Sequence, residues 1–229
     1  MSDQQLLTES RHGGVAVITL DDGRANALGP AMQAAIGEAL DRAEADDEVG
    51  AIVLVGREGR FSGGFDLGIM GSGDLDAIVD MVDGGGHLVR RLYGPSKPVV
   101  AACTGHAVAA GALLLLGCDV RIGPDAPIKV GLNEVAIGLS LPGWAMIIAG
   151  DRLSPRHRQR SVVNAVLFDG QGAVDAGFLD RAVAPEQVLD EALAEAEILA
   201  TLDRKAYIDT VDVFRGQTLA AMDADLARN

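Results

Sequence analysis

Two loops of very small residues carry the first chemical signal in this chain. Residues 61–67 (FSGGFDL) follow the apolar run 51–55 (AIVLV), and residues 105–111 (GHAVAAG) follow the run 99–103 (VVAAC). Where glycine and alanine leave the main chain uncovered, a ligand atom can reach backbone N–H groups directly. Ala109, Ala110 and Gly111 stand where a helix should begin, and the first turn of a helix has unpartnered N–H groups at the positive end of its dipole. If the two preceding strands lie near each other, both loops leave the same edge of the fold, and one amide from each can converge on a single oxygen. That is an oxyanion hole, whose donors need approachable backbone and no particular side chain.

Holding two such amides in place calls for strands joined by crossover helices. Residues 15–20 (VAVITL) read as a strand ended by Asp21, Asp22 and Gly23. Met32, Ala35, Ile36, Ala39, Leu40 and Ala43 then recur at helical spacing behind Pro30, whose missing N–H costs nothing in a first turn. Residues 51–55 are a fully apolar strand, and 56–68 read as a loop with five glycines. Over 74–92 a helical pattern is interrupted by Gly84, Gly85 and Gly86, which predicts a broken, mobile segment. Residues 98–122 read as a strand, a tight turn of tiny residues, a helix that includes 113–116, and a strand over 118–122.

A loop and short strand over 124–130 come next, then a loop with mixed helix over 131–144. Ser154 opens another helix with Pro155 just inside it, and the Arg and His residues that follow are read as a solvated face. A short helix over 173–178 and a last strand over 182–184 end the body. Strand and helix alternate, the order of an α/β sheet with crossover helices. Residues 1–184 are assigned to this core and 185–229 to a C-terminal helical segment with Val188, Leu189, Ala192, Leu193 and Ala196 on one face. Those last helices carry too little apolar surface for a core of their own, so they are expected to pack on the body or on another subunit.

Composition narrows the function classes. A net charge of -14 opposes nucleic acid and anionic membrane surfaces as partners, yet a local group of N–H donors can still hold a small anionic ligand. The two cysteines, Cys103 and Cys118, lie in apolar runs with no metal-ligand spacing, so they read as reduced core residues and no metal site is expected. The stretch 98–118 approaches the length of a membrane span, but Gly105, Gly111 and Gly117 interrupt it and Asp119 and Arg121 follow at once. The first fourteen residues show neither an apolar signal core nor an Arg-rich amphipathic pattern, which points to the cytoplasm.

The segments VAVITL, DGRANAL, RFSGGFDL, KPVVAACTGHAVAAGALLLLGCDVRI and GLNEVAIGL fall in one order, and in that order the chain resembles the crotonase (enoyl-CoA hydratase/isomerase) family over nearly its whole length. The resemblance implies a crotonase-like spiral of ββα units with a helical C-terminal extension. It further implies assembly as a homotrimer or homohexamer and action on acyl-CoA thioesters in fatty-acid metabolism. Coenzyme A then arrives as part of the substrate, and no separate cofactor is expected. By position in the two loops, the family's oxyanion donors fall on the backbone N–H groups of Phe65 and Ala110. Gly64, Asp66, Leu67 and Gly111 beside them are carried over as substrate-binding positions. So are Ala25 and Ala27, in the segment that meets the adenine end of coenzyme A. Ala109 and Ala110 depart from the family's more usual glycines, and Phe65 from its usual alanine.

A thioester carbonyl held by two N–H donors can bear enolate charge, which makes its α-proton removable by a carboxylate whose pKa is raised in an apolar pocket. Hydratases of the family use two glutamates. At the first position this chain has Leu113; at the second it keeps Glu134, flanked by Val135, Ala136 and Ile137. With one base present, the pattern resembles the mitochondrial type of Δ3,Δ2-enoyl-CoA isomerase, which implies conversion of 3-enoyl-CoA to trans-2-enoyl-CoA with Glu134 as the single acid and base. Trp144, Leu141 and Ile137 are read either as acyl-pocket lining or as core. Asp66 is read as tying its loop's backbone, His106 as packing, and Asp119 as a structural acceptor. The alternatives are a hydratase of β-oxidation, a non-catalytic acyl-CoA binding protein, and a serine peptidase using Ser62 and His106, for which the GxSxG elbow and a third member are missing.

Overall fold

A computed structural model describes residues 5–228. In chain order the strands are β1 (Leu7–His12), β2 (Val15–Leu20), β3 (Ala51–Val55), β4 (Gly59–Ser62), β5 (Val99–Ala102), β6 (Gly105–Val108), β7 (Val120–Pro124), β8 (Val130–Gly131) and β9 (Arg181–Val183). The helices are α1 (Pro30–Ala45), α2 (Leu67–Met70), α3 (Leu75–Tyr93), α4 (Ala110–Gly117), α5 (Gly143–Arg152), α6 (Gly170–Ala176), α7 (Val188–Leu199), α8 (Arg204–Phe214) and α9 (Gly216–Leu226).

Six strands form one sheet in the order β1-β2-β3-β5-β7-β9, and three form another in the order β4-β6-β8. Apart from the β1–β2 hairpin, neighbours in both sheets run parallel. After the first pass, which lays both β1 and β2 in the large sheet before α1, the chain lays one strand in the large sheet, one in the small sheet, and then returns through a helix. The β3-β4-α3 and β5-β6-α4 passes repeat this unit, which is the spiral of ββα units expected from the sequence. β3 and β5 are buried at every residue because both faces of the large sheet are covered, which is why they read as unbroken apolar runs. On one face Ile52, Leu54, Val99 and Ala101 meet residues of α1, α3, α4 and α5. On the other, Val53, Val100 and Ala102 meet Val188, Ala192 and Ala196 of α7. The first of the C-terminal helices thus packs on the body.

Four expectations change. The loop after β3 contains β4, and the turn of tiny residues after β5 is β6; they pair with each other, Gly59 with Gly105 and Ser62 with Ala107. A Cβ on Gly105 would lie 2.0 Å from the Gly59 carbonyl carbon, so the glycine that suggests a turn is there to let two strands approach. The helix α3 is unbroken from Leu75 to Tyr93, with the Asp74 side chain accepting from Ala77 N–H at its start. Its three glycines meet other side chains at close range, so packing overrides their low helix propensity. After Ser154 the chain forms turns and then a π-helical stretch, Gln159–Val163, in place of a regular helix. The C-terminal segment comprises the helices α7, α8 and α9, the last two dividing at Arg215, and its assigned final residue Asn229 lies outside the described residues.

Within the stretch weighed as a membrane span, two strands precede the eight-residue α4, and no helix of the described residues is long and apolar enough to cross a membrane. Cys103 and Cys118 are both free and buried, and burial pushes their thiols up to about 12.

Candidate active site

The two small-residue loops emerge from β4 and β6, adjacent parallel strands, and so leave the same edge. They touch: a Cβ on Gly64 would lie 3.0 Å from both the Ala109 Cβ and the Val108 carbonyl, and one on Gly111 would meet the Ser62 carbonyl at 2.4 Å. Glycine is required at 64 for a second reason, its φ of 95°. The Gly64–Phe65 peptide is tied on its carbonyl side, where Leu28 N–H donates to Gly64 O at 2.8 Å; Gly63 N–H donates to Ala25 O at 2.8 Å. Because the C=O and N–H of a trans peptide point in opposite directions, fixing the carbonyl also aims the Phe65 N–H. Ala110 is the first residue of α4, preceded by Ala109 at φ 53° and ψ -125°, a conformation that an L side chain adopts only under strain. Among the described residues neither the Phe65 nor the Ala110 N–H donates a hydrogen bond within the chain.

Glu134 reaches this edge through β8. That strand pairs with β6 at Ala107–Val130 and Val108–Gly131, and Gly131 O accepts the Ala109 N–H at 2.9 Å. Three residues further on, Glu134 lies within about 10 Å of chain from Gly131. Its residue is 9% exposed and its Oε2 has no partner among the described residues. Burial pushes its carboxyl above the usual carboxylate range, opposed only by its own backbone N–H. Leu113 is 1% exposed in the core.

Beside the first loop a cleft of about 450 Å³ is lined by Asp22, Arg24, Ala25, Ala27, Gly64, Phe65, Asp66 and Leu67, among others. It thus gathers five of the substrate-binding positions expected from the sequence, together with the expected donor Phe65. Its walls do not include Ala110, Gly111, Leu113, Glu134 or Trp144. Trp144 is 0% exposed under α9, with its indole nitrogen 2.8 Å from where a Cβ of Gly86 would sit. Ile137 is 54% exposed and Leu141 8%.

Asp22 of the cleft and the buried Asn26 close to it in the chain were not singled out from the sequence. Asn26 is fully buried and donates to Leu20 O and Phe61 O, bridging β2 to β4. Asp22 accepts the N–H groups of Arg24, Asn26 and Ala27. Burial pushes its carboxyl up, but those bonds outweigh it and hold the pKa below its usual value. The signal was present in DDGRAN, where an Asp shortly before a glycine turn is suited to Asx bonding.

The other polar candidates are structural. Asp66 accepts from Gly68 and Ile69 N–H and caps α2. Ser62 Oγ donates to Asn26 O at 2.7 Å and is fully buried, while His106 Nδ1 accepts from Lys129 N–H at 2.9 Å; neither is poised as a peptidase nucleophile or base. Asp119 accepts from Val99 N–H, Arg215 and Tyr207.

Residues 10–226 match the family model described as enoyl-CoA hydratase/isomerase. Among solved structures, one titled probable enoyl-CoA hydratase EchA3 from Mycobacterium tuberculosis is 42% identical, covers 97% of this chain and 94% of its own, and superposes with a TM-score of 0.94. Another, titled an enoyl CoA isomerase from the same organism, is 41% identical, covers 99% and 97%, and gives 0.92. The human mitochondrial delta3-delta2-enoyl-CoA isomerase is 27% identical, covers 98% and 90%, and also gives 0.92.

Proposed function

This chain belongs to the enoyl-CoA hydratase/isomerase family, and from that premise we propose that it moves the double bond of a 3-enoyl-CoA to give the trans-2-enoyl-CoA. The thioester oxygen accepts hydrogen bonds from Phe65 N–H and Ala110 N–H, the latter at the positive end of α4. The Glu134 carboxylate takes a proton from C2, leaving a dienolate whose charge rests on the held oxygen. The resulting Glu134 carboxylic acid gives that proton to C4, the double bond settles between C2 and C3, and the carboxylate is restored. No water enters the balance, and no cofactor beyond the substrate's own coenzyme A takes part. The cleft beside Ala25 and Ala27 is the path for that coenzyme A, and the subunits assemble as trimers or hexamers in the cytoplasm.

One observation carries the reading: Glu134 is buried with its Oε2 unpartnered among the described residues, three residues after the strand that pairs with β6 beside the Ala109 turn, and by the family resemblance Leu113 stands where a hydratase has its other acid. The titles of similar structures favour a second reading, hydration, since one at 42% identity is titled a probable hydratase. Hydration needs one group to orient and deprotonate water while a proton goes to C2, and Leu113 can do neither. Turnover of 3-hexenoyl-CoA measured beside hydration of crotonyl-CoA separates the two. Isomerisation should dominate; dominant hydration would overturn the reading.

A further inference from the structure

We propose that Gly85 of α3 is a positioning residue for the oxyanion hole, acting through the Phe65 ring; this rests on the reading that the Phe65 N–H is one of the hole's donors. A Cβ on Gly85 would lie 2.5 Å from Phe65 Cε1 and 2.7 Å from Cζ, so the ring occupies the volume a side chain at 85 would need. Gln33 completes the seat. Its Nε2 donates to Met81 O on α3 at 2.8 Å and to Leu28 O at 3.0 Å, while Leu28 N–H holds Gly64 O. The peptide that bears the Phe65 N–H is therefore gripped from two sides, at its carbonyl by Leu28 and through its side chain by the flat face of α3.

The glycine at 85 has no other evident purpose in the middle of an unbroken helix, where alanine is the better helix former. Gly64 sits directly before Phe65 at positive φ and offers the loop little rigidity of its own. The ring in its seat supplies what the glycine removes.

The test is a cycle of Gly85→Ala, Phe65→Ala and the double variant, with kcat, KM and Tm measured on both 3-hexenoyl-CoA and crotonyl-CoA. Gly85→Ala should lower kcat by about tenfold or more on whichever substrate the parent turns over, since a displaced donor forfeits part of the 10²–10³ that one donor contributes. KM and Tm should change little. In the Phe65→Ala background the same substitution should have no further effect, because there is no ring left to displace. Equal losses from Gly85→Ala in both backgrounds would overturn the proposal, as would a loss confined to KM or Tm. If Phe65→Ala itself is inactive, the ¹⁵N–¹H resonance of Phe65 decides: Gly85→Ala should move it well beyond any change at Ala110, and an unmoved resonance would refute the role. A parent that only hydrates crotonyl-CoA would defeat the isomerase reading while leaving this cycle interpretable.

Discussion

Two buried carboxylates in this protein have opposite surroundings. Asp119, beside the start of β5, receives Val99 N–H at 2.7 Å, Arg215 at 2.7 Å and the Tyr207 hydroxyl at 3.1 Å. It ties the large sheet to α8 and to the junction with α9. Glu134 is 9% exposed, but its Oε2 has no partner among the described residues and burial raises its pKa. A carboxylate surrounded by donors holds elements together. One left in an apolar pocket contributes nothing to holding the fold, and its proton affinity moves towards the range in which it can both take and return a proton.

The contrast can be broken at either end. The largest effect is expected at Glu134, where Glu134→Gln should lower isomerase kcat by about 10³-fold, within the range of a lost general acid–base group, with acyl-CoA binding little changed. Steady-state kinetics and direct binding of a saturated acyl-CoA check both halves, and retained activity would return Glu134 to a structural role. In the parent, kcat/KM should fall as pH drops through the Glu134 pKa, because the base must be ionised. That acid limb should lie above 4.5, the ordinary carboxylate value.

At the other end, Asp119→Ala should cost about 3 kcal/mol in denaturant unfolding, since it strands the Arg215 guanidinium whose side chain is 11% exposed. The kcat of the folded fraction should hold. Smaller and opposite in sign, Glu134→Gln should raise stability by about 1 kcal/mol at neutral pH, by removing an unpartnered buried charge. The folded pKa is raised, so the folded state binds the proton more tightly than the unfolded one. The penalty from the charge grows as pH rises through that pKa, and the gain should be smaller at pH 4 than at pH 8. The smallest effect is expected at Ala109→Gly, which relieves φ 53° and should raise stability by up to about 1 kcal/mol, measured by the shift in Tm.

Long-range pairing decided what the sequence could reveal. β3 and α1 were legible because an apolar run buried on both faces and a 3.6-residue stripe behind Pro30 are local signals. The strands β4 and β6 were not, being four residues each and rich in glycine; what makes them strands is their approach to each other. The same cause hid α3, whose Gly84, Gly85 and Gly86 make room for Gln33, Phe65 and Trp144. The candidate donors and Glu134 were named from motif order. The isolation of Glu134 was not legible, because it depends on which side chains from other elements fail to reach it.

Label transfer within one turnover tests the single-acid shuttle most directly. With 3-hexenoyl-CoA deuterated at C2 and turned over in ordinary water, Glu134 should carry deuterium to C4 before the pocket exchanges with solvent, so the trans-2-hexenoyl-CoA should hold part of the label at C4. Product whose C4 has gained only solvent hydrogen, at the shortest times and lowest conversion, would contradict the shuttle.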